Sequence, residues 1–154
     1  MRSKSGSPDI QGELGYLVGS LASAMRIGLD RELASFNVSS AQWAILEACH
    51  EGEASTLTSL SRVIPIDTAS ISRQVERLVR AGLVQRRRST RDRRLVRLSL
   101  TVAGRRLVPE LAERVQANNA RFLAGIATDE QEAMLRTIRR MLENAQAEVY
   151  DGNS

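Results

Sequence analysis

The residues of this sequence best suited to chemistry are its arginines, and most of them are concentrated in one segment. Between Arg62 and Arg106 there are thirteen arginines but only three acids, a net charge of +10, whereas the whole chain has a formal net charge of +4. Arginine forms paired hydrogen bonds with phosphates and with guanine edges. A solvated, salt-bridged surface is the alternative, but the segment holds too few acids for that. The segment therefore indicates a polyanionic partner, and double-stranded DNA is the leading candidate.

Catalytic and metal-binding chemistry find little support in the sequence. The single histidine and the single cysteine, His50 and Cys49, cannot build the usual zinc site of Cys and His ligands within one chain. There is no GxGxxG motif, no phosphate-loop motif and no serine motif of the nucleophile-elbow type. We therefore predict that the protein is not an enzyme and uses neither a metal nor a cofactor. An activity centred on His50, Cys49 and Glu47 is the remaining enzymatic alternative.

The composition is that of a globular protein. The chain has 154 residues, of which 42% are hydrophobic and 26% charged, which fits a single folded chain. One cysteine allows no internal disulfide and favours the cytoplasm. No uncharged stretch reaches the roughly 20 apolar residues of a membrane span, and residues 1–9 are expected to be a flexible tail without the apolar core of a signal peptide.

The elements that must position these arginines can be read from the spacing of apolar and capping residues. Apolar residues recur every three or four positions and predict a first helix over about 10–35. Ser39 and Gln42 have the spacing of a capping box and predict a second helix. Thr56 can cap a short third helix over 57–64. The residues of this third helix expected to face the core are Leu60 and Val63.

A turn and a fourth helix follow the third. Pro65 lacks an N–H and cannot continue a helix. Asp67 is a good N-cap for a helix over 68–81, and Gly82 suits the left-handed residue that ends it. A short helix, a tight turn and a second helix form a helix-turn-helix. The expected buried face of the fourth helix holds Ile71, Val75, Leu78 and Val79, and the opposite face holds Ala69, Ser70, Arg73, Arg77 and Arg80.

The periodicity then changes to that of strands. Strands are predicted over 83–88 and 94–100, joined by an arginine-rich turn, with Val96, Leu98 and Leu100 on one side. Two such strands after a helix-turn-helix form a wing. Thr101 can cap the next helix, and a last helix follows near Thr128. The fold class is thus mainly α (α+β), a winged helix-turn-helix with N- and C-terminal dimerisation helices.

The segment Leu57–Gly104 also carries a specific combination of residues. It contains Leu60-Ser61, Ser72-Arg73, Leu78 and Ala81-Gly82-Leu83-Val84, then Asp92-Arg93-Arg94, Leu98-Ser99-Leu100-Thr101 and Gly104. With these residues it resembles the MarR family of bacterial winged-helix regulators, and the flanking helices follow the layout of that family. Pro65 and Ser89 depart from the family pattern, in the turn and in the wing.

The resemblance implies how DNA is bound. The helix over 68–81 would enter the major groove, where Ala69 can contact a thymine methyl and Arg73 can bind a guanine. A wing-tip arginine steadied by an aspartate, here Arg94 and Asp92, would enter the minor groove. The expected DNA-binding residues are Thr68, Ala69, Ser70, Ser72, Arg73, Gln74, Arg77, Arg88, Arg91, Asp92, Arg93 and Arg94.

The terminal helices carry apolar stripes that are broader than one small winged domain can cover. Residues 10–150 are expected to form one MarR-like chain, with the winged-helix DNA-binding region at 39–100 and dimerisation helices at 10–35 and 101–148. A homodimer with two-fold symmetry would place its two recognition helices on a palindromic operator.

Regulation is less determined by the sequence. The resemblance implies a transcriptional regulator, expected to be a repressor, that releases DNA when a small aromatic or phenolic effector binds between the dimer helices and the winged domain. Met25, Phe36 and Trp43 are the candidate ligand residues. The alternatives are a redox-responsive regulator acting through Cys49 and a winged helix that binds proteins without binding DNA.

Overall fold

The structure, a computed structural model, describes residues 10–52, 55–88 and 96–151. Residue contacts divide the chain into a first unit, Met1–Asn118, and a second unit, Asn119–Ser154. The described residues form six α-helices and two β-strands. They are α1 (Ile10–Leu33), α2 (Ser40–Glu51), α3 (Leu57–Val63), α4 (Thr68–Arg80), β1 (Val84–Arg88), β2 (Val96–Leu100), α5 (Val102–Leu123) and α6 (Thr128–Asp151). This order of elements confirms the winged helix-turn-helix predicted from the sequence.

The start of α2 is held by two sets of hydrogen bonds. The predicted capping box is present: the Ser39 hydroxyl accepts from the Gln42 N–H at 3.2 Å, and the Gln42 side chain accepts from the Ser39 N–H at 2.9 Å. In addition, the Asp30 carboxylate of α1 accepts from the Ser40 N–H at 2.7 Å. A negative charge at a helix N-terminus is favourable, so Asp30 fixes the end of α1 against α2.

The turn between α3 and α4 follows from its proline. Ile64 is extended, as expected for the residue before Pro65, and the Ile66 N–H donates to the Ile64 carbonyl at 2.8 Å. Asp67 then caps α4, and Gly82 has a φ of 71°, in the left-handed region predicted for it.

One core prediction for α3 is wrong. Leu60 is fully buried, but Val63 is 49% exposed. Ile64, the extended residue that ends the helix, is buried in its place because the chain turns inward there.

The two strands form an antiparallel sheet, which is the base of the wing. Val84 pairs with Leu100 and Arg88 with Val96. Leu98 and Leu100 are buried as predicted, whereas Val96 at the far end is exposed. The Leu98 N–H also donates to the Ser55 carbonyl at 2.7 Å, which attaches β2 to the segment before α3.

The junction of β2 and α5 explains why residue 104 is a glycine. The Thr101 hydroxyl donates to the Gly82 carbonyl at 2.6 Å and accepts from the Gly104 N–H at 3.0 Å, so Thr101 caps α5 as predicted. A β-carbon at Gly104 would overlap the Leu83 carbonyl oxygen. Only glycine therefore allows α5 to approach the start of the wing this closely.

The core of the first unit lies where α2, α3, α4, the sheet and α5 meet. It includes the fully buried Leu46, Leu60, Ile71 and Leu111. Among the described residues, the buried polar side chain is Asn118 of α5, which donates to the Met25 carbonyl of α1 at 3.1 Å.

The second unit consists of the end of α5 and α6. The Glu130 carboxylate accepts from the Ala127 N–H at 3.1 Å, and the Gln131 side chain donates to the Ile126 carbonyl at 2.8 Å, so the turn into α6 is well satisfied. Leu135, Ile138 and Leu142 of α6 are exposed. None of the helices in the described part of the chain is long and apolar enough to cross a membrane.

Candidate nucleic-acid interface

Helix α4 has two faces of opposite character. Ile71, Val75 and Leu78 are buried against α2 and α3, as predicted. The other face is exposed and carries a methyl group and three guanidinium groups, on Ala69, Arg73, Arg77 and Arg80. The burial of one stripe thus orients the arginines of the other stripe outward.

The N-terminal turn of α4 contains a chain of hydrogen bonds that runs from Asp67 to Arg73. One oxygen of the Asp67 carboxylate accepts from the Ser70 N–H at 2.8 Å, and the other accepts from the Ser70 hydroxyl at 2.6 Å. The Ser70 oxygen in turn accepts from Nη2 of Arg73 at 2.8 Å. The guanidinium of Arg73 is therefore held at the exposed N-terminal end of the helix.

The charges in this turn support one another. The hydrogen bond from the Ser70 hydroxyl, then that from the Ser70 N–H, and then the positive charge of Arg73 lower the pKa of Asp67 below its ordinary value. The carboxylate is consequently ionised at neutral pH, where it both caps the helix and attracts Arg73.

Thr68 is linked to the first helix of the helix-turn-helix. Its hydroxyl lies 3.2 Å from that of Ser61, which itself donates to the Leu57 carbonyl at 2.9 Å. Because the Ser61 hydrogen is used, Thr68 is the donor in the contact between the two hydroxyls. This contact joins α3 to the start of α4.

Two of the expected DNA-binding residues lie toward the sides of α4. Ser72 is half-buried and lines a cavity of about 400 Å³ between α4 and the wing, together with Glu76 and Arg86. The side-chain oxygen of Gln74 is buried and has no hydrogen-bond partner among the described residues. The Gln74 oxygen thus points away from the exposed arginine face.

The wing carries arginines on both faces of its sheet. Arg86 lies opposite Leu98, on the face toward the core, and the expected contact Arg88 is exposed at the end of β1. On the other face Arg87 lies directly opposite Arg97, and both are exposed. Neither Arg87 nor Arg97 was among the expected contacts, although the alternation of buried residues along the two strands could have placed them on one outer face.

The remaining expected contacts fall outside the described residues. Arg91, Asp92, Arg93 and Arg94 belong to the segment between β1 and β2, for which the structure describes no positions.

The three candidate ligand residues lie in the first unit. Trp43 is 5% exposed and belongs to the core. Phe36 packs against the core, with the guanidinium of Arg114 5.9 Å from its ring centroid. Met25 is half-buried and its carbonyl accepts from Asn118. Core packing therefore explains the position of Trp43, whereas Phe36 and Arg114 together present an aromatic ring and a cation.

The residues considered for redox or enzymatic chemistry lie at the end of α2. Burial raises the pKa of Cys49 to about 11, so its thiol is protonated at neutral pH and is a poor nucleophile. His50 is exposed in the last turn of the helix. Within the described residues, no group of three or more His, Cys, Asp or Glu side chains could hold a metal ion.

Comparison with known proteins identifies a family for the winged-helix segment. Residues 38–96 match the sequence model of the MarR family. This stretch begins before α2 and ends at the start of β2, so it includes both helices of the helix-turn-helix.

Solved structures share the fold over most of the chain. A MarR transcriptional regulator from Methanosarcina mazei Go1 matches with a TM-score of 0.80 and 22% identity, covering 87% of this chain and 96% of the other. A cysteine-to-serine mutant of MarR from E. coli, complexed with operator DNA, matches with a TM-score of 0.78 and 22% identity, covering 89% and 99%. The transcriptional regulator PA3341 matches with a TM-score of 0.78 and 26% identity, covering 87% and 98%. The four chains therefore share one fold over most of their length.

Proposed function

We propose that the chain, whose residues 38–96 match the MarR family model, is a MarR-type transcriptional regulator that binds double-stranded DNA through α4 and the wing. The observation that carries the proposal is the exposed face of α4, which carries Arg73, Arg77 and Arg80 along a helix whose N-terminus is capped by Asp67. The E. coli relative was solved in complex with operator DNA, which supports the same use of the fold here.

Helix α4 has the size and chemistry to read the major groove. Its N-terminal residues reach base edges in this motif, and there Ala69 supplies a methyl contact for thymine and Arg73 a donor pair for guanine. Arg77, one turn further along, is suited to phosphates, whereas the Thr68 hydroxyl already donates its hydrogen to Ser61. Base reading is thus proposed for the first two turns of α4, and phosphate contact for Arg77 beyond them.

The wing supplies further phosphate contacts. Arg87, Arg88 and Arg97 are exposed on the sheet. The resemblance to the family adds Arg94, with Asp92, as the residue that enters the minor groove, and Arg91 and Arg93 as its flanking contacts. Binding that neutralises several phosphates releases counterions, so the affinity falls steeply as the salt concentration rises.

A homodimer is the proposed functional form. On α1 the apolar side chains Leu17, Val18 and Leu21 are about half exposed, and on α6 Leu135 and Leu142 are similarly exposed. Surfaces of this kind favour a second copy of the chain as their partner. A two-fold dimer would bind a palindromic operator with half-sites about one helical turn apart.

Regulation of this DNA binding is proposed to depend on a small ligand rather than on oxidation. The raised pKa of Cys49 disfavours a redox role. Phe36 beneath Arg114 offers a ring and a cation, which suit an anionic aromatic effector. With the operator overlapping a promoter, ligand-free protein would act as a repressor in the bacterial cytoplasm.

Selection of bound fragments from a random DNA pool tests the proposed function. We expect the wild-type protein to enrich an inverted repeat. Arg73→Ala should weaken binding by about 1–3 kcal/mol. Arg136→Ala, which removes an exposed arginine from α6, is the matched control and should enrich the same repeat as the wild type. No enrichment by the wild type would reject DNA recognition and favour a winged helix that binds proteins.

A further inference from the structure

We propose that Asp67 and Ser70 are positioning residues that aim Arg73 at a guanine, so that each operator half-site contains a G·C pair facing the N-terminal half of α4. The inference rests on the proposed DNA-binding function and deepens it, because it names the base that is read and the residues that set the preference.

Ser70 has little capacity left for contacting DNA itself. Its N–H and its hydroxyl hydrogen are both donated to the Asp67 carboxylate, at 2.8 and 2.6 Å. Its oxygen accepts from Arg73 at 2.8 Å. With both donors used inside the turn, Ser70 acts on DNA through Arg73, which separates its role from that of a base-reading serine.

Arg73 retains what it needs to bind guanine. Guanine presents O6 and N7 as two acceptors in the major groove, and a guanidinium binds them with a pair of N–H groups. Nη2 carries two hydrogens, one paired with the Nε hydrogen and the other paired with a hydrogen of Nη1. Whichever hydrogen is donated to Ser70, one complete donor pair remains.

Holding Arg73 before binding increases selectivity. A free arginine side chain loses rotamer entropy when it is fixed, and the contact with Ser70 imposes part of that restriction in the unbound protein. Because the Arg73 guanidinium is already oriented by Ser70, it binds acceptors that lie in that orientation better than acceptors that lie elsewhere.

The carboxylate of Asp67 adds a second source of selectivity. It lies one hydroxyl away from the Arg73 guanidinium, through Ser70. A fixed negative charge at this place repels the phosphate backbone, whereas the guanine edge is a neutral dipole. Arg73 is therefore directed toward a base rather than toward a phosphate.

The test uses the full-length protein and the operator obtained by selection with the wild type. The base read by Arg73 is the position at which Arg73→Ala loses the guanine preference. At that position guanine is replaced by 7-deazaguanine, which keeps Watson–Crick pairing but removes the N7 acceptor. The measured quantity is the ratio of the two dissociation constants. A complete donor pair contributes about 5- to 150-fold, and because only the N7 bond is lost we expect a ratio of about 5-fold or more for the wild type.

Variants of the turn then separate positioning from folding. Ser70→Ala keeps the backbone N–H that caps α4 but removes the hydroxyl, and we expect it to reduce the ratio at least threefold with an unchanged salt dependence. Ser70→Thr restores the hydroxyl and should restore the ratio. Asp67→Asn keeps a capping side chain without the charge and should also reduce the ratio. Ser35→Ala, an exposed serine between α1 and α2, is the control and should leave the ratio unchanged.

The outcomes distinguish this inference from the proposed function. If the wild type selects an operator but Ser70→Ala keeps the wild-type ratio, or weakens all DNA sequences equally, the positioning role is rejected and DNA binding stands. An operator without a guanine that depends on Arg73 rejects it as well. If the wild type selects no DNA at all, the proposed function fails and the inference fails with it.

Discussion

Arg87 and Arg97 lie directly opposite each other on the two strands of the wing, although both are positively charged and exposed. Like charges at opposed positions of an antiparallel pair destabilise the sheet, by up to about 1 kcal/mol. The repulsion is relieved when an anion lies between the two groups. The two arginines therefore repel each other in the free protein, and a bound DNA phosphate would relieve this repulsion.

This relationship predicts opposite effects on stability and on binding. Arg97→Thr removes the repulsion and places a good strand former in β2, so it should raise the melting temperature of the free protein at low salt. The same change should weaken operator binding and reduce the slope of log affinity against log salt by about 0.9, the value of one phosphate contact. Thermal unfolding and salt titrations of binding measure the two effects. A variant that loses stability and keeps its affinity would contradict the role of the pair.

The junction of the wing with α5 predicts a large effect of a small substitution. Gly104→Ala would bring a methyl group onto the Leu83 carbonyl, so the backbone must shift, at a cost of about 1–3 kcal/mol in the free energy of unfolding. Gly15→Ala in α1 is the matched control, because its added methyl meets nothing within 4 Å. Denaturant unfolding gives both values. Equal stability of Gly104→Ala and the wild type would show that the close approach is not required.

Asp67 predicts a dependence of stability on pH. Because its pKa is lowered in the folded protein, its contribution is fully present above its ordinary pKa of 3.8 and is lost as the pH falls through the lower folded value. The stability difference between the wild type and Asp67→Ala should therefore be constant from pH 5 to 8 and shrink below 3.8. Urea unfolding across this range measures it. A difference that shrinks already between pH 7 and 5 would assign the effect to another group.

Cys49 predicts slow thiol chemistry in the folded protein. With a pKa of about 11, its thiolate is scarce at neutral pH, so alkylation by iodoacetamide should be slow and should accelerate as the pH rises toward 11. The same thiol in guanidinium chloride should react at the rate of an ordinary cysteine. The contribution of the buried, protonated thiol to the free energy of unfolding is fully present below its ordinary pKa of 9.0 and should be lost as the pH rises through the folded pKa of about 11. Rapid oxidation at neutral pH, with release of operator DNA that Cys49→Ser prevents, would establish the redox alternative instead.

The exposed apolar face of α1 predicts how the dimer can be broken. Leu17→Asp puts a charge on this face and should shift the chain toward the monomer and lower operator affinity, because two half-sites are no longer bound together. Val63→Asp is the control for the oligomeric state, since Val63 is similarly exposed, at 49% against 56%, but belongs to α3 of the winged-helix region. Sedimentation velocity reports the oligomeric state. A Leu17→Asp protein that stays dimeric would place the interface elsewhere.

Much of the fold could be predicted because its signals are local. The boundaries of α2 and α4 follow from Ser39, Asp67 and Gly82, each of which satisfies or ends a helix through its own side chain or backbone conformation. The order of the elements followed from the spacing of apolar and capping residues and from the change to strand periodicity after Gly82. Val63 was wrongly predicted to face the core because helical spacing alone does not show where α3 ends. The helix ends at Val63, and the extended residue Ile64 is buried instead.

The candidate site was less predictable because it depends on contacts and register. Arg73 and Ser70 were expected to contact DNA separately, and only the structure shows that the Ser70 hydroxyl is used by Asp67 and Arg73. The opposition of Arg87 and Arg97 depends on the pairing register, which the spacing of residues along one strand does not specify.

The central claim is that the exposed arginine face of α4 recognises a specific DNA sequence. The most direct measurement is the affinity of the wild type, Arg73→Ala and Arg136→Ala for the selected operator and for a scrambled duplex at several salt concentrations. The account predicts that the wild type and Arg136→Ala prefer the operator by about 10³-fold or more. Arg73→Ala should lose about 5- to 150-fold of that preference, while its affinity for the scrambled duplex changes little. Equal affinity of the wild type for both duplexes, or an unchanged preference in Arg73→Ala, would contradict it.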